Sequence, residues 1–135
     1  MNTQHTRHGK PAVTLLEMTV VILVLLTMIS VGTITASKIG EWKKGRMAGE
    51  TLRSVYAAQR MYLADHPTVQ VSSITSANLL PYMAGSPSSM PTVENLDGDQ
   101  LPILVNTSPP KIDAGGGASY DPSGSTTDSL WDVGQ

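Results

Sequence analysis

The chain has no cysteine and no phenylalanine, and aromatic residues make up only 4% of its 135 positions. Without cysteine it can form neither a disulfide framework nor a cysteine-ligated metal site. With so few aromatics, a folded part must be stabilised by aliphatic packing, by assembly or by a bound ion. The sequence also lacks a phosphate-binding loop, a dinucleotide-binding glycine pattern and a metalloprotease helix, so we expect that the protein is not an enzyme.

Charge is distributed unevenly along the chain, although the net formal charge is only −2. Residues 38–60 hold six basic and two acidic residues, whereas residues 61–135 hold one lysine and eight acidic residues. Such a split can align repeated copies head to tail. A basic stripe of Arg46, Arg53 and Arg60 could touch nucleic acid, but such stripes are more often solvated or paired with acids of a neighbouring copy. We expect no nucleic-acid partner.

The longest hydrophobic run covers residues 13–37 and contains a single charge, Glu17. The twenty residues from Met18 to Ser37 carry none. At about 1.5 Å per helical residue, they cover the roughly 30 Å hydrocarbon core of a bilayer. We therefore predict a transmembrane helix. Because a carboxylate is unfavourable in lipid, Glu17 is a functional candidate.

Small residues recur every fourth position at the end of this run, at Gly32, Ala36 and Gly40. They would share one helix face, and small residues let helices approach closely in a bilayer, so we predict helix packing there. Gly45 and Gly49 continue the theme beyond the membrane. The competing interpretation is that these glycines only loosen the helix.

The amphipathic part of the same helix is predicted over residues 38–66. Its apolar stripe follows three- and four-residue steps through Ala48, Leu52, Val55, Tyr56, Gln59 and Leu63. Pro67 ends the helix. This stripe must bury itself on something downstream.

Residues 67–135 are rich in Gly, Pro, Ser and Thr and predict a small loop-rich β domain. We expect a short helix at 76–83, a strand at 101–106, and weaker strands at 109–113 and 130–133. Asp97-Gly98 is a turn signal, and residues 115–117 form a glycine loop. The fold class is then α+β, with the long N-terminal helix packed on a small antiparallel sheet.

The segment around Glu17 resembles the prepilin-peptidase site of type IV pilin-like proteins. It reads AVTLLE from Ala12 to Glu17, after a leader (residues 1–12) that contains Arg7 and Lys10 and no acid. Ala and Val stand where Gly and Phe are commoner. The resemblance implies cleavage between Ala12 and Val13 by a prepilin peptidase, with methylation of the new Val13 amine.

The family resemblance also implies topology and assembly. Basic residues on both sides of the span leave its orientation open, but the resemblance places the leader in the cytoplasm and the C-terminal domain outside the inner membrane. In this family, subunits assemble by helix packing into a filament. We expect Glu17 to pair with the Val13 amine of the same or a neighbouring subunit.

Within the family, the chain looks most like a major pseudopilin of type II secretion. The expected partners are further copies, other pseudopilins and the inner-membrane secretion platform. The alternatives are a minor type IV pilin or competence pseudopilin, and a monomeric signal-anchored extracytoplasmic binding domain. Separately, the small residues Ser30-Val31-Gly32 have a spacing that suits a signal-peptidase cut.

Major pseudopilins often hold calcium in their C-terminal loops. Weak candidate ligands here are Asp97, Asp99, Asp113, Asp121 and Asp128. Their spacing matches no ligand loop, so we expect no cofactor and keep calcium as the weaker alternative.

Overall fold

A computed structural model describes residues 14–134 of the chain. The first helix, α1 (Leu15–Asp65), is followed by a 3-10 turn (Val71–Ser73), α2 (Ser76–Leu79), a second 3-10 turn (Leu80–Tyr82) and four two-residue strands. The chain divides into two compact units, Met1–Ser37 and Lys38–Gln135. We call them the apolar unit and the soluble unit. The predicted α+β class with a long N-terminal helix and small antiparallel sheets is confirmed.

In the apolar unit, α1 begins at Leu15 and meets no proline. Every side chain that the structure describes from Thr14 to Ser37 is exposed. The helix here is therefore held by its own backbone hydrogen bonds and not by burial of one face.

In the soluble unit, α1 buries one face. Ala48, Leu52, Val55 and Gln59 are buried, and Tyr56 and Leu63 are partly buried, as the sequence stripe predicted. The residues packed against this face come from the segments that follow: Ile74, Leu79, Val93, Ile103, Val105 and Ile112. The core is thus mainly aliphatic, with Trp131 as its buried aromatic residue.

The end of α1 is fixed by a small aromatic group. The Tyr62 and His66 rings stack at 4.4 Å, and Tyr82 meets Tyr62 edge-on at 5.6 Å. The Tyr82 hydroxyl donates to Asp65 at 2.9 Å, and this hydrogen bond raises the pKa of Tyr82. The contacts join the last turn of α1 to the turn that follows α2.

The predicted helix at 76–83 is confirmed, but its second half is a 3-10 turn. Thr75 caps α2, and its backbone N–H donates to the Asn78 side chain at 3.0 Å. Pro81 has no N–H to continue the α-helical pattern, so the hydrogen bonding changes at Leu80.

The predicted strand at 101–106 is wrong, because the chain there belongs to two separate sheets. β1 (Val93–Glu94) pairs antiparallel with β2 (Gln100–Leu101), and β3 (Ile103–Leu104) with β4 (Lys111–Ile112). Pro102 separates β2 from β3, since it has no N–H to donate to a ladder. The predicted turn before β2 is confirmed, with Gly98 at φ +98°.

The weak strand at 109–113 is confirmed only as β4, whereas the strand at 130–133 is wrong. Ser129 and Trp131 both have φ +63°, which no strand accommodates. Instead, the Trp131 backbone N–H donates to the Gly45 carbonyl at 3.0 Å, and Arg53 Nε donates to the Val133 carbonyl at 3.1 Å. Residues 129–133 therefore form a strap, which we call the C-terminal strap, across α1.

Gly45 and Gly49 of α1 lie where the C-terminal strap crosses the helix. A Cβ at Gly45 would lie 2.7 Å from Trp131 Nε1, and one at Gly49 would lie 2.5 Å from the Ser129 carbonyl oxygen. The interpretation that they extend a surface for packing between copies is therefore corrected. They let the chain's own strap approach the helix backbone.

Candidate functional site

Glu17 lies in the first turn of α1 and has a local role in the helix start. Its backbone N–H donates to Thr14 Oγ1 at 3.4 Å. Thr14-x-x-Glu17 is the spacing of a capping box, and an acid in the first turn also interacts favourably with the helix dipole. Glu17 thus sits where a cationic group at the helix N-terminus would be close. The predicted cleavage residues Ala12 and Val13 lie outside the described residues.

Five hydroxyl groups of the apolar unit donate hydrogen bonds within the helix. Each donates to a carbonyl three or four residues earlier, at 2.8–3.0 Å: Thr19, Thr27, Ser30, Thr33 and Thr35. In lipid every polar group must find its partner inside the segment. These five side chains therefore add no unpaired donor to a surface that is otherwise apolar.

The predicted packing face is open. Gly32, Ala36 and Gly40 are exposed, and a Cβ added at Gly32 or Gly40 would meet nothing within 4 Å. Within the described residues, α1 is the one helix long and apolar enough, by length and composition, to cross a membrane. Gly32, Ala36 and Gly40 are thus exposed in the part of the chain that the structure describes.

The basic stripe is used within the chain. Arg46 pairs with Glu50 at 3.5 Å and lies 5.7 Å from the centre of the Trp42 ring. Arg60 lies 5.8 Å from the centre of the Tyr56 ring, and Arg53 holds the C-terminal strap. The three arginines thus have intramolecular contacts.

The acidic residues proposed as weak calcium ligands make local turn contacts. Four of them accept bonds from a nearby backbone N–H or side chain: Asp99 from Asn95, Asp113 from Gly115, Asp121 from Ser123 and Asp128 from Leu130. Over residues 14–134 no three metal-ligating side chains lie together. Each of these four acids therefore has a local contact within a turn.

A cavity that the sequence did not indicate lies beside the C-terminal strap. Its volume is about 510 Å³, and Pro109, Lys111, Trp131 and Asp132 are among the residues that line it. Asp132 Oδ1 accepts from the Gly134 N–H at 2.6 Å, whereas Oδ2 is buried without a partner. Burial raises the pKa of Asp132, and nearby Asp128 and Asp121 raise it further, against the effect of the Gly134 bond.

No family model matches the chain, and neither curated proteins nor solved structures give a match. Function is therefore inferred from the residues and their geometry.

Proposed function

We propose that the chain is a structural subunit of a type II secretion pseudopilus, held in the inner membrane and assembled by packing of its N-terminal helix. The observation that carries the proposal is an apolar helix segment whose described side chains are exposed and that has one acid, Glu17, in its first turn. A segment of this kind needs lipid around it and a cation beside the acid.

Maturation would supply that cation. Cleavage between Ala12 and Val13 by a prepilin peptidase leaves a positively charged amine about one helical turn before Glu17. A lone charge in lipid costs several kcal/mol, whereas a charge pair costs less. When a subunit docks, its Glu17 can neutralise the amine of a neighbour and set the axial register. Methylation of the Val13 amine would keep its charge.

The outer face of α1 in the soluble unit supports assembly as well. Met47 and Met61 are 68% and 54% exposed, and the small residues Ala57 and Ala64 on the same face are exposed too. A helix face of methionine and alanine suits contact with another helix better than contact with water. Lys43 and Glu50 lie on this face and would set its register.

Glu17→Ala tests the pairing. We expect the variant to be processed normally but to form filaments many-fold less efficiently, because the docked amine loses its partner. Processing is read from the shift in apparent mass, and assembly from disulfide cross-linking through Met61→Cys in an otherwise cysteine-free chain. Thr27→Ala is the control, since its hydroxyl bonds only to the Val24 carbonyl. Wild-type cross-linking by Glu17→Ala would refute the pairing.

Mass spectrometry of the membrane-extracted protein tests maturation independently. We expect an N-terminus at Val13, with or without one methyl group. An intact Met1 terminus, or a cut near Gly32, would contradict the assignment to this family.

A second candidate is a monomeric binding domain on a membrane anchor. The cavity beside the C-terminal strap favours it, because its size and mixed lining suit a small ligand. A protein that gives no cross-links at any density in vesicles and keeps an intact Met1 terminus would favour this candidate. A minor type IV pilin or competence pseudopilin would share the maturation and differ in the other subunits with which it assembles.

A further inference from the structure

One end of the soluble unit presents large apolar side chains to solvent. A shallow cavity of about 220 Å³ is lined by Lys38 and Trp42 of α1, by Leu96 of the β1–β2 turn, and by Pro122 and Leu130. Trp42 is 51% exposed and Leu96 is 37% exposed. We call this surface the Lys38 end. It brings together three segments that are far apart in sequence.

Leu96 is held in this exposed position from two sides. Lys44 Nζ donates to the Asn95 and Leu96 carbonyls at 3.2 and 3.4 Å, and it pairs with Glu94 at 2.7 Å. The Leu96 backbone N–H donates to the Tyr120 hydroxyl at 3.0 Å. The turn is therefore fixed, and the exposure of Leu96 is a property of the fold.

The position of Lys38 in the sequence sets the level of this surface. Lys38 is the first charged residue after the uncharged run, so it marks the point where a spanning helix enters water. Trp42 follows about 6 Å further along the axis, and helical side chains lean toward the N-terminus, which brings its ring back toward Lys38. Leu96 and Pro122 share a cavity with Lys38 and hence lie near the same level.

We propose that the Lys38 end contacts the surface of the bilayer that the apolar run enters. Trp42 and Leu96 lie among the lipid headgroups, and the Lys38 ammonium reaches a phosphate. Tryptophan is favoured at this depth because its ring is amphipathic, and lysine extends its charged end toward the headgroups. The proposal rests on the membrane-spanning part of the proposed function and is independent of filament assembly.

Charges at the Lys38 end indicate which lipids it fits. Glu41 pairs with Lys38 at 3.0 Å, and the exposed Asp97 directly follows Leu96. These acids offset the lysines, so the surface gains little from anionic lipid, unlike a polybasic segment. Contact comes from the apolar side chains, and Asp97 limits their depth because its carboxylate stays in water. We expect equal contact with neutral and anionic bilayers.

The test uses nitroxide labels on single cysteines in the full chain, reconstituted into vesicles of phosphatidylcholine alone or of phosphatidylethanolamine and phosphatidylglycerol. Leu96→Cys reports the Lys38 end and Thr27→Cys the apolar run. Thr68→Cys is the aqueous control, because it is exposed and lies past Asp65, the end of α1, about 40 Å from Lys38. We expect collisions with a water-soluble nickel complex to be several-fold rarer at Leu96 than at Thr68, equally in both vesicles and at high salt.

Other results would overturn the proposal in recognisable ways. If Thr27 is in lipid and Leu96 is as accessible to nickel as Thr68, the contact is absent although the span is present. If Leu96 is shielded from both nickel and oxygen, protein covers it and a second copy is the occupant. If Thr27 is also in water, both this proposal and the proposed membrane span fail.

Two further variants test the contact, one through the depth of the label at Leu96 and one through tryptophan fluorescence. Adding Asp97→Asn to the labelled Leu96→Cys chain should lower nickel access further, because the charge that holds the turn in water is gone. Quenching by brominated lipid should fall sharply in Trp42→Phe, which leaves only the buried Trp131. An unchanged label depth and unchanged quenching would overturn the contact.

Discussion

The two units of the molecule use one helix, α1, under opposite conditions. Among the described residues of the apolar unit every side chain is exposed, and five hydroxyls donate to carbonyls of the same helix. In the soluble unit one stripe is buried against strands and loops, and charged residues lie on the other faces. The comparison shows that continuous helical structure does not imply one stabilising cause. The first segment has the length and composition of a membrane-spanning helix, whereas the second unit makes its own apolar interior.

The polar contacts of the two units differ in how far they reach along the chain. In the soluble unit Gln59 is fully buried, and its amide donates to the Val105 and Thr107 carbonyls at 2.8 Å each. That bond reaches across the core to the loop after β3. In the apolar unit the described hydroxyl bonds reach no further than the preceding helical turn. The Gln59 contacts are therefore tertiary, whereas the described hydroxyl contacts of the apolar unit are local.

The largest expected effect comes from deleting the same side chain in each unit. Leu52→Ala should destabilise the soluble unit by about 2–5 kcal/mol, because Leu52 is fully buried and a cavity would remain. Leu23→Ala should leave the unfolding of the soluble unit unchanged, since Leu23 is exposed. Thermal unfolding of the full chain in detergent, followed by Trp131 fluorescence, measures both. Equal losses would mean that the two units unfold together.

Replacing a glycine by alanine should change stability less, and the sign should differ between Gly49 and Gly40. Gly49→Ala should cost about 1–3 kcal/mol, because the new methyl would press on the Ser129 and Asp132 carbonyls. Gly40→Ala meets open space and should stabilise the helix by up to about 1 kcal/mol. Denaturant titration of the detergent-solubilised chain separates them. A neutral Gly49→Ala would show that the C-terminal strap is not packed tightly on α1.

The smallest effect concerns acidity. Burial raises the pKa of Asp132 above its ordinary 3.8, so the folded state holds the proton more tightly than the unfolded state. That contribution to stability is complete below pH 3.8 and is lost as pH rises through the raised folded pKa. Asp132→Asn should therefore stabilise the soluble unit slightly at neutral pH and hardly at all in acid. The melting temperatures of both proteins across this range measure the difference, and Asp97→Asn serves as the exposed control.

The sequence predicted those parts of the fold that follow from local rules. The helix from the apolar run to Pro67, the buried stripe through Leu52 and Val55, and the turn at Gly98 depend on periodicity or on single residues with restricted conformations. The prediction of a strand at 101–106 failed at Pro102, because it followed the apolar composition of the segment and neglected that proline has no N–H to donate. It failed again at Trp131 because the positive φ is imposed by contact with α1, which is a distant partner.

The candidate site was predictable only as a linear motif. The charge, spacing and apolar context of Glu17 are visible in sequence, whereas its hydrogen bond to Thr14 requires the helix start to be known. Gly45 and Gly49 show the opposite case, since the same four-residue spacing that suits packing between copies serves an intramolecular contact. The Lys38 end was not predictable at all, because Trp42, Leu96 and Pro122 meet only through the fold.

The C-terminal strap also bears on the order in which the molecule is made. Trp131 bonds to Gly45, so two segments separated by nearly the whole soluble unit must meet before the helix face is closed. A chain that crosses a membrane with its helix first would expose this face until residues 129–133 had emerged on the far side. Contacts so distant in sequence slow folding. Until residues 129–133 are in place, the face of α1 at Gly45 and Gly49 therefore stays open.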